Sequence, residues 1–253
     1  CGGLALSGCG DSAGAVCGNG KVEGTELCDD GSQAGTLAAG ACTEQCTWQE
    51  FNPDAASSGS AMYPAVAMNQ AGDFVVVWRA ADGTMDEDVW AAVYDKSGNS
   101  RVPAFKVNEG TDGYQQYPMP AIDGAGNFVV VWHIDPMSPG ATNENVWMRA
   151  FGPDGTPHTG DVQLNTYTGG WQSYPHVAMN EAGKLVVAWS SNLQDGDLTG
   201  VYAQLGDSTG QLAAAEPFQA NTEWDNTQEK PWAGMAQDGS FVIVWEANGQ
   251  EST

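Results

Sequence analysis

Three landmarks recur in step along most of this chain. Pro64, Pro118, Pro175 and Pro231 are each followed at a constant distance by Gly72, Gly126, Gly183 and Gly239, and these in turn by Trp78, Trp132, Trp189 and Trp245. The successive spacings are 54, 57 and 56 residues for proline, glycine and tryptophan alike. A period of this length, holding three residue types in register, marks a repeated supersecondary unit whose copies bury their apolar faces against one another.

Within each unit the residues have the character of strands. Phe74-Val75-Val76-Val77-Trp78 is β-branched and aromatic without a polar break, as a strand covered on both faces must be. Ala65-Val66-Ala67-Met68 precedes it across Asn69-Gln70-Ala71-Gly72, a hairpin-type turn. A third strand opens at Val89-Trp90, Val146-Trp147 or Val201-Tyr202, and a fourth finishes at Asn108, Asn165 or Asn221. No window carries a 3.6-residue period, so little helix is expected. Four strands per unit with a doubly buried inner hairpin is the pattern of a β-propeller blade; an immunoglobulin-like sandwich needs about 100 residues per unit. The sequence thus predicts an all-β chain with a partial β-propeller over residues 48–253. Its blades cover 63–116, 117–173 and 174–229, with an interrupted one over 230–253. Glu50-Phe51-Asn52 stands where a lone fourth strand would latch a closed ring. Because propellers run to about 4 to 8 blades, more chain is expected beyond Thr253.

With 42% hydrophobic and 16% charged residues the chain is globular, and its formal net charge of -24 repels phosphate backbones and argues against nucleic acid as a partner. Leu4-Ala5-Leu6-Ser7-Gly8-Cys9 has the apolar, small-residue character of the end of a secretory signal. Leu6-Ser7-Gly8-Cys9 resembles the lipobox of bacterial lipoproteins. That resemblance implies a signal remnant over 1–8, Cys9 as lipidated N-terminus, a tether over 9–16, and export to the outer membrane, the cell surface or the medium. No other stretch approaches the ~20 apolar residues of a spanning helix, so membrane attachment would be through lipid alone.

Cys17, Cys28, Cys42 and Cys46 then remain, within a Gly- and Asp-rich segment too small to stabilise itself by apolar burial. Two disulfides are expected there, their connectivity open; a zinc site lacks the paired short knuckles of the common modules. Cys17-Gly18-Asn19-Gly20, Cys28-Asp29-Asp30-Gly31 and Cys42-Thr43-Glu44-Gln45-Cys46 resemble the cysteine-rich repeat of myxobacterial-type surface proteins, placing a small module over 17–47. The loop before Cys42 departs from that pattern. Asp29 and Asp30 are candidate Ca²⁺ ligands in a Gly-rich turn, or equally caps of its backbone.

The large repeats are similar to β-propeller-like repeats of bacterial surface and secreted proteins, which carry Asn/Asp-x-x-Gly-x-Phe-Val-Val-x-Trp and then Gln-Asp-Gly-Asp. The third unit keeps the latter as Gln194-Asp195-Gly196-Asp197, which makes Asp195 and Asp197 further Ca²⁺ candidates, with a polar hairpin loop as the alternative. Catalytic material is sparse. His133, His158 and His176 occupy three different repeat positions, and the repeat offsets of Arg79, Arg101 and Arg149 do not converge into the arginine cluster that sialidase-type propellers carry for an anionic sugar. The loops between blades offer Tyr114, Trp171 and Trp224 beside Gln115, Gln172 and Gln228, a combination suited to stacking on a sugar or gripping a peptide. These rings and amides could instead cover blade edges and tie down loops. The expectation is a non-catalytic recognition or adhesion scaffold for an extracellular glycan or protein. The alternatives are a fragment of a secreted glycan-processing propeller enzyme and a structural spacer.

Overall fold

A computed structural model describes residues 53, 60–81, 87–110, 113–135, 144–223 and 225–249. Cys9, the predicted tether, the 17–47 module with its four cysteines and Asp29 and Asp30, the strand expected at Phe51, and Trp224 lie outside the described residues. Residues 53–93 and 101–253 form one compact unit.

Among the described residues every regular element is a strand. The first sheet runs β1 (Met62–Met68), β2 (Phe74–Ala81), β3 (Glu87–Tyr94) and β4 (Ser100–Lys106), paired in chain order. The second repeats this with β5 (Tyr114–Ile122), β6 (Phe128–Asp135), β7 (Asn145–Phe151) and β8 (Val162–Gln163). The third has β9 (Gln172–Met179), β10 (Lys184–Asn192), β11 (Thr199–Asp207) and β12 (Phe218–Gln219). An unfinished fourth consists of the hairpin β13 (Thr227–Met235) and β14 (Phe241–Asn248), linked to the third sheet through one parallel pairing of Thr199 with Thr227. The architecture is therefore an all-β partial β-propeller, as the repeat spacing predicts.

The inner hairpins turn where the repeat places its glycine. Asp123 Oδ1 accepts the N–H groups of Ala125 and Asn127, both at 2.9 Å, and Asn180 Oδ1 those of Ala182 and Lys184 at 3.1 and 3.0 Å. The glycine that follows sits at φ 87° (Gly126) or 80° (Gly183), a region that side chains with a Cβ resist. Neighbouring turns are clasped as well, since Asn69 Nδ2 donates to Asp123 O at 3.0 Å and Gly124 N to Glu181 O at 3.0 Å.

The fourth strands depart from expectation. β4 has seven residues, whereas β8 and β12 have two each, because the chain after β7 and β11 takes a longer irregular course. A side chain takes over where the ladder stops. Asn108, Asn165 and Asn221 accept the buried backbone N–H groups of Val89, Val146 and Val201 at 2.9, 2.8 and 2.8 Å. Each supplies through its amide oxygen the partner that a longer strand would have offered from its backbone.

Alternating residues of each middle strand feed two different layers of core. Val75 and Val77 of the first sheet pack in one cluster with Ile122, Phe128, Val130 and Trp132 of the second. Val129 and Val131, one residue out of phase, join Val177, Leu185, Val187 and Trp189 of the third. Val186 and Ala188 then meet Ala233, Met235 and Ile243 of the fourth. In the second and third sheets one face thus carries the phenylalanine or leucine and the tryptophan toward the preceding blade, while the other carries two small aliphatic residues toward the following one.

Candidate functional site

Strand direction decides where chemistry can gather. β5 pairs Tyr114 with Asp135 at the end of β6, and β6 pairs Ile134 with Asn145 at the start of β7. β8 pairs Gln163 with Trp147 and leaves the sheet beside them. The connections between blades and the loops after each second strand therefore share one end of the propeller, here called the connection face, while the glycine turns occupy the other.

Each inner strand is kinked close to that face. Tyr63, Tyr117, Tyr174 and Lys230, each immediately before its proline, have φ of 51°, 50°, 53° and 51°. Proline steers the residue before it toward extended conformations, and a left-handed non-glycine residue costs about 1–3 kcal/mol. The same strain is built in four times. At each of these sites the ladder slips, between Met62 and Ala65, Gln116 and Met119, Ser173 and His176, and Glu229 and Trp232. These are β-bulges, which re-aim side chains.

The re-aimed side chains form a row. Ring centroids of Tyr63 and Tyr117 are 4.5 Å apart, and those of Tyr117 and Tyr174 are 5.1 Å apart. A second row runs beside the first, made of the residue one past each strand tryptophan: Arg79, His133, Ser190 and Glu246. The Arg79 guanidinium lies 4.8 Å over the Tyr63 ring, and its Nε is 3.0 Å from Glu87 Oε2, close enough for an ion pair though not aligned as a hydrogen bond. His133 stacks on Tyr117 at 5.4 Å and 17°. Ser190 Oγ accepts from Lys230 N at 2.9 Å, and Lys230 Nζ donates to Glu246 at 3.0 Å. Burial, followed by contact with Tyr63 and Tyr174, pushes the Tyr117 phenol up to about 12, so it keeps its proton through the physiological range.

Beside this row a cavity of about 280 Å³ opens between Glu144, Trp171, Ser173, Tyr174, Ser190, Asn192, Thr199 and Glu229. Glu144 is half-buried, and burial, with a smaller contribution from the Asp135 carboxylate, pushes its carboxyl up to about 7. Its Oε2 is 4.0 Å from His133 Nε2, but burial drives His133 down to about 3. The histidine is therefore neutral at pH 7 and the contact is not an ion pair. The site thus joins a carboxyl that retains a proton near neutrality to a second carboxyl, an exposed indole, a phenol and several hydroxyl and amide groups.

These shifts set a pH dependence. Burial lowers His133 to about 3 and His176 to about 4 from an ordinary 6.5, so the folded chain keeps both neutral where the unfolded chain would protonate them. The stability they contribute is present above about pH 6.5 and is lost as pH falls toward those folded values. Protonation of His176 also removes the Nδ1 lone pair that accepts Ala233 N–H at 3.1 Å. Glu144, raised from 4.5 to about 7, acts in the opposite sense, its stabilisation being present below 4.5 and lost as pH rises through 7. Thermal melts should therefore show the midpoint falling on acidification below about pH 6.5, with a shallower fall in His133→Phe and a steeper one in Glu144→Gln. Parallel curves for the three proteins would contradict these assignments.

The residues expected from sequence to bind ligand divide. Trp171 is 59% exposed and lines the cavity; Tyr114 is half-buried. Gln115, Gln172 and Gln228 are buried and closed to a ligand, which corrects their reading as contact groups. Gln115 Oε1 accepts Trp132 Nε1–H at 2.8 Å, Gln172 Oε1 accepts Trp189 Nε1–H at 3.3 Å, and Gln228 Oε1 accepts Asn221 Nδ2–H at 3.0 Å. Their amide nitrogens donate to Gly113, Gly169 and Asp225 carbonyls, so they anchor the loops. Asp195 and Asp197 spend oxygens on Gln219 Nε2 at 3.2 Å and Asn226 N at 2.7 Å. Among the described residues no three His, Cys, Asp or Glu side chains gather as a metal site. The arginines are held apart, Arg101 with Asp73 at 2.7 Å and Arg149 with Glu109 at 2.5 Å, while Arg79 alone joins the row.

No family model matches the sequence, and no curated protein aligns with it. Among solved structures the fold is similar to the Hadza microbial sialidase Hz136, with a TM-score of 0.55 and 12% identity over 77% of this chain and 43% of that one. It is also similar to a protein of unknown function from Dyadobacter fermentans, at TM-score 0.51 and 12% identity over 76% of this chain and 64% of the other. The chain thus spans less than half the length of that sialidase. Both likenesses define the class, an all-β propeller-type fold.

Proposed function

We propose that this chain recognises a glycan through the connection face of its propeller, with the Glu144–Trp171–Tyr174–Glu229 cavity seating one sugar unit. The observation that carries the reading is the combination in one cavity of an exposed indole and a phenol with carboxyl, hydroxyl and amide groups. A sugar ring presents an apolar face and a girdle of hydroxyls, and such a cavity meets both. The volume of about 280 Å³ is at the small end of ligand pockets, which run to roughly 300–1,000 Å³. The sialidase of similar fold supports a glycan as ligand class by analogy at the level of fold alone.

A second reading, hydrolysis of the bound glycan, is favoured by one observation. Glycosidases that use two carboxyl groups need one protonated and one ionised, and Glu144, pushed up to about 7, lines the same cavity as Glu229. A panel of neutral and acidic oligosaccharides separates the readings. Recognition predicts retention of at least one member of the panel, and retention of none would refute it. Hydrolysis further predicts release of reducing sugar that Glu144→Gln abolishes while retaining binding; no release by the parent chain removes the enzyme.

We place the chain outside the cell, exported and anchored through lipid on Cys9, on the strength of the Leu6-Ser7-Gly8-Cys9 resemblance. Among the described residues no helix is long and apolar enough to cross a membrane. Incorporation of labelled fatty acid should disappear in Cys9→Ser, and unchanged labelling would refute the anchor.

A further inference from the structure

We propose that the sugar unit taken by the Glu144–Trp171–Tyr174–Glu229 cavity is uncharged and that the cavity turns away sugars bearing a carboxylate. The proposal rests on the glycan reading above and names the substrate class within it.

The cavity lies inside the arc, its walls drawn from the second, third and fourth blades, and among the described residues no Lys, Arg or His lines it. The whole chain has eight Lys and Arg residues, of which Lys21 alone precedes residue 53; the seven that remain are all described. Each is spent or distant. Lys230, beside the cavity residue Glu229, has its Nζ 3.0 Å from Glu246 Oε2 and 3.8 Å from Glu229 Oε1, so two carboxylates already hold it. Arg79 lies over Tyr63 and 3.0 Å from Glu87, with the Tyr63 and Tyr117 rings between it and Tyr174. Lys106 pairs with Asp88 at 3.0 Å, and Arg149 is taken up by Glu109 and by the Val107 and Thr159 carbonyls. Arg101 reaches Asp73 in the first glycine turn, while Lys96 stands in the turn between β3 and β4 and Lys184 directly after Gly183, all at the opposite end from the cavity. His133, 4.0 Å from Glu144, is neutral at pH 7 and supplies no charge.

The polar groups of the wall point the same way. Glu144 and Glu229 offer carboxyl oxygens. Asn192 spends its Nδ2 hydrogens on Leu198 O at 2.7 Å and Thr199 Oγ1 at 3.5 Å, which leaves its side-chain oxygen for a ligand. Ser190 Oγ accepts from Lys230 N at 2.9 Å and keeps one O–H to donate. A wall rich in acceptors is satisfied by the hydroxyl donors of a neutral sugar. A sugar carboxylate brings only acceptors and a charge, and here it would be partly desolvated beside Glu229 without a counter-ion.

The experiment is binding of the 253-residue chain at pH 7 to matched neutral and acidic probes: disaccharides of galactose and of galacturonic acid, of glucose and of glucuronic acid, and lactose against sialyllactose. The expected result is that every retained probe is neutral, with its acidic counterpart weaker by about tenfold or more. Repeating the series in about 1 M salt, where the screening length is about 3 Å, removes the long-range repulsion of a chain with formal net charge -24. The preference should survive, because it is set by the wall. Glu229→Gln, of the same shape, should narrow it at either salt. An acidic probe held as tightly as its neutral counterpart overturns the proposal and leaves the glycan reading standing. A preference that disappears in high salt, or that Glu229→Gln leaves unchanged, overturns its assignment to this cavity. Retention of no probe of either kind removes the glycan reading, and this inference with it.

Discussion

Trp132→Ala is expected to lower the stability of the chain by about 4 kcal/mol, the largest effect of any single substitution considered for it. Trp132 is fully buried in the layer between the first and second blades, packed with Val75, Val77, Phe128 and Phe151. Truncating a buried tryptophan to alanine costs roughly 3–5 kcal/mol through lost burial and the cavity left behind. The indole N–H also donates to Gln115 Oε1 at 2.8 Å, a buried hydrogen bond that the truncation removes. Against a total of about 5–15 kcal/mol for a domain, such a loss leaves little. Urea titrations with matched slopes measure it. Trp232→Ala supplies the contrast, since that ring is 59% exposed and should change stability by no more than about 0.5 kcal/mol. Equal midpoint shifts for the two variants would mean that the strand tryptophans are not the fasteners between blades.

Trp171→Ala is expected to do the reverse, leaving stability nearly unchanged while weakening glycan binding about 10- to 100-fold, or roughly 1.4–2.8 kcal/mol. Trp171 is exposed at the mouth of the cavity, and its backbone carbonyl, which accepts Asn192 N–H at 2.8 Å, survives the substitution. The neighbouring residue behaves oppositely. Gln172 is fully buried and holds Trp189 Nε1–H through its side chain, so Gln172→Ala should destabilise the fold and reach binding only through that. Calorimetric titration with the oligosaccharide retained from the panel, alongside melts of the same samples, separates the two roles. Unaltered affinity in Trp171→Ala would remove the indole, and with it this cavity, from the recognition site.

The contrast between residues 171 and 172 explains what could be read from the sequence. Blade boundaries, inner hairpins and strand tryptophans were legible because packing between successive blades imposes the same demand at each step, so Pro64, Gly72 and Trp78 recur without change of type. Gln115, Gln172 and Gln228 recur for the same reason. Their repetition in three of the four units, with Ala61 at that offset in the first, signalled a structural bond, although an amide beside an aromatic also has the chemistry of a sugar site. Function lies where the repeat breaks step. Arg79, His133, Ser190 and Glu246 fill one offset with four chemistries, directly after the unchanging tryptophan, and that variation was the signal available for the second row. The raised carboxyl of Glu144 had no such signal. It depends on burial beside Asp135 and His133, which are neighbours only once β6 and β7 are paired. The short β8 and β12 were equally hidden, since Asn165 and Asn221 end the outer edge with side chains where residue pattern alone suggested a full strand.

The sheets also differ from most β-architectures in how little chain separates their partners. β1 to β4 pair in the order in which they are synthesised, and the asparagine that closes a sheet accepts from a residue only 19 or 20 positions earlier. Non-local pairing is what makes β proteins slow to fold and exposed to aggregation while they do so. Here each sheet can be complete before the next has left the ribosome, and the aliphatic face it then shows is the surface on which the following hairpin condenses. Growth of the arc can then proceed in the direction of translation, each new hairpin covering the face left open by the sheet before it.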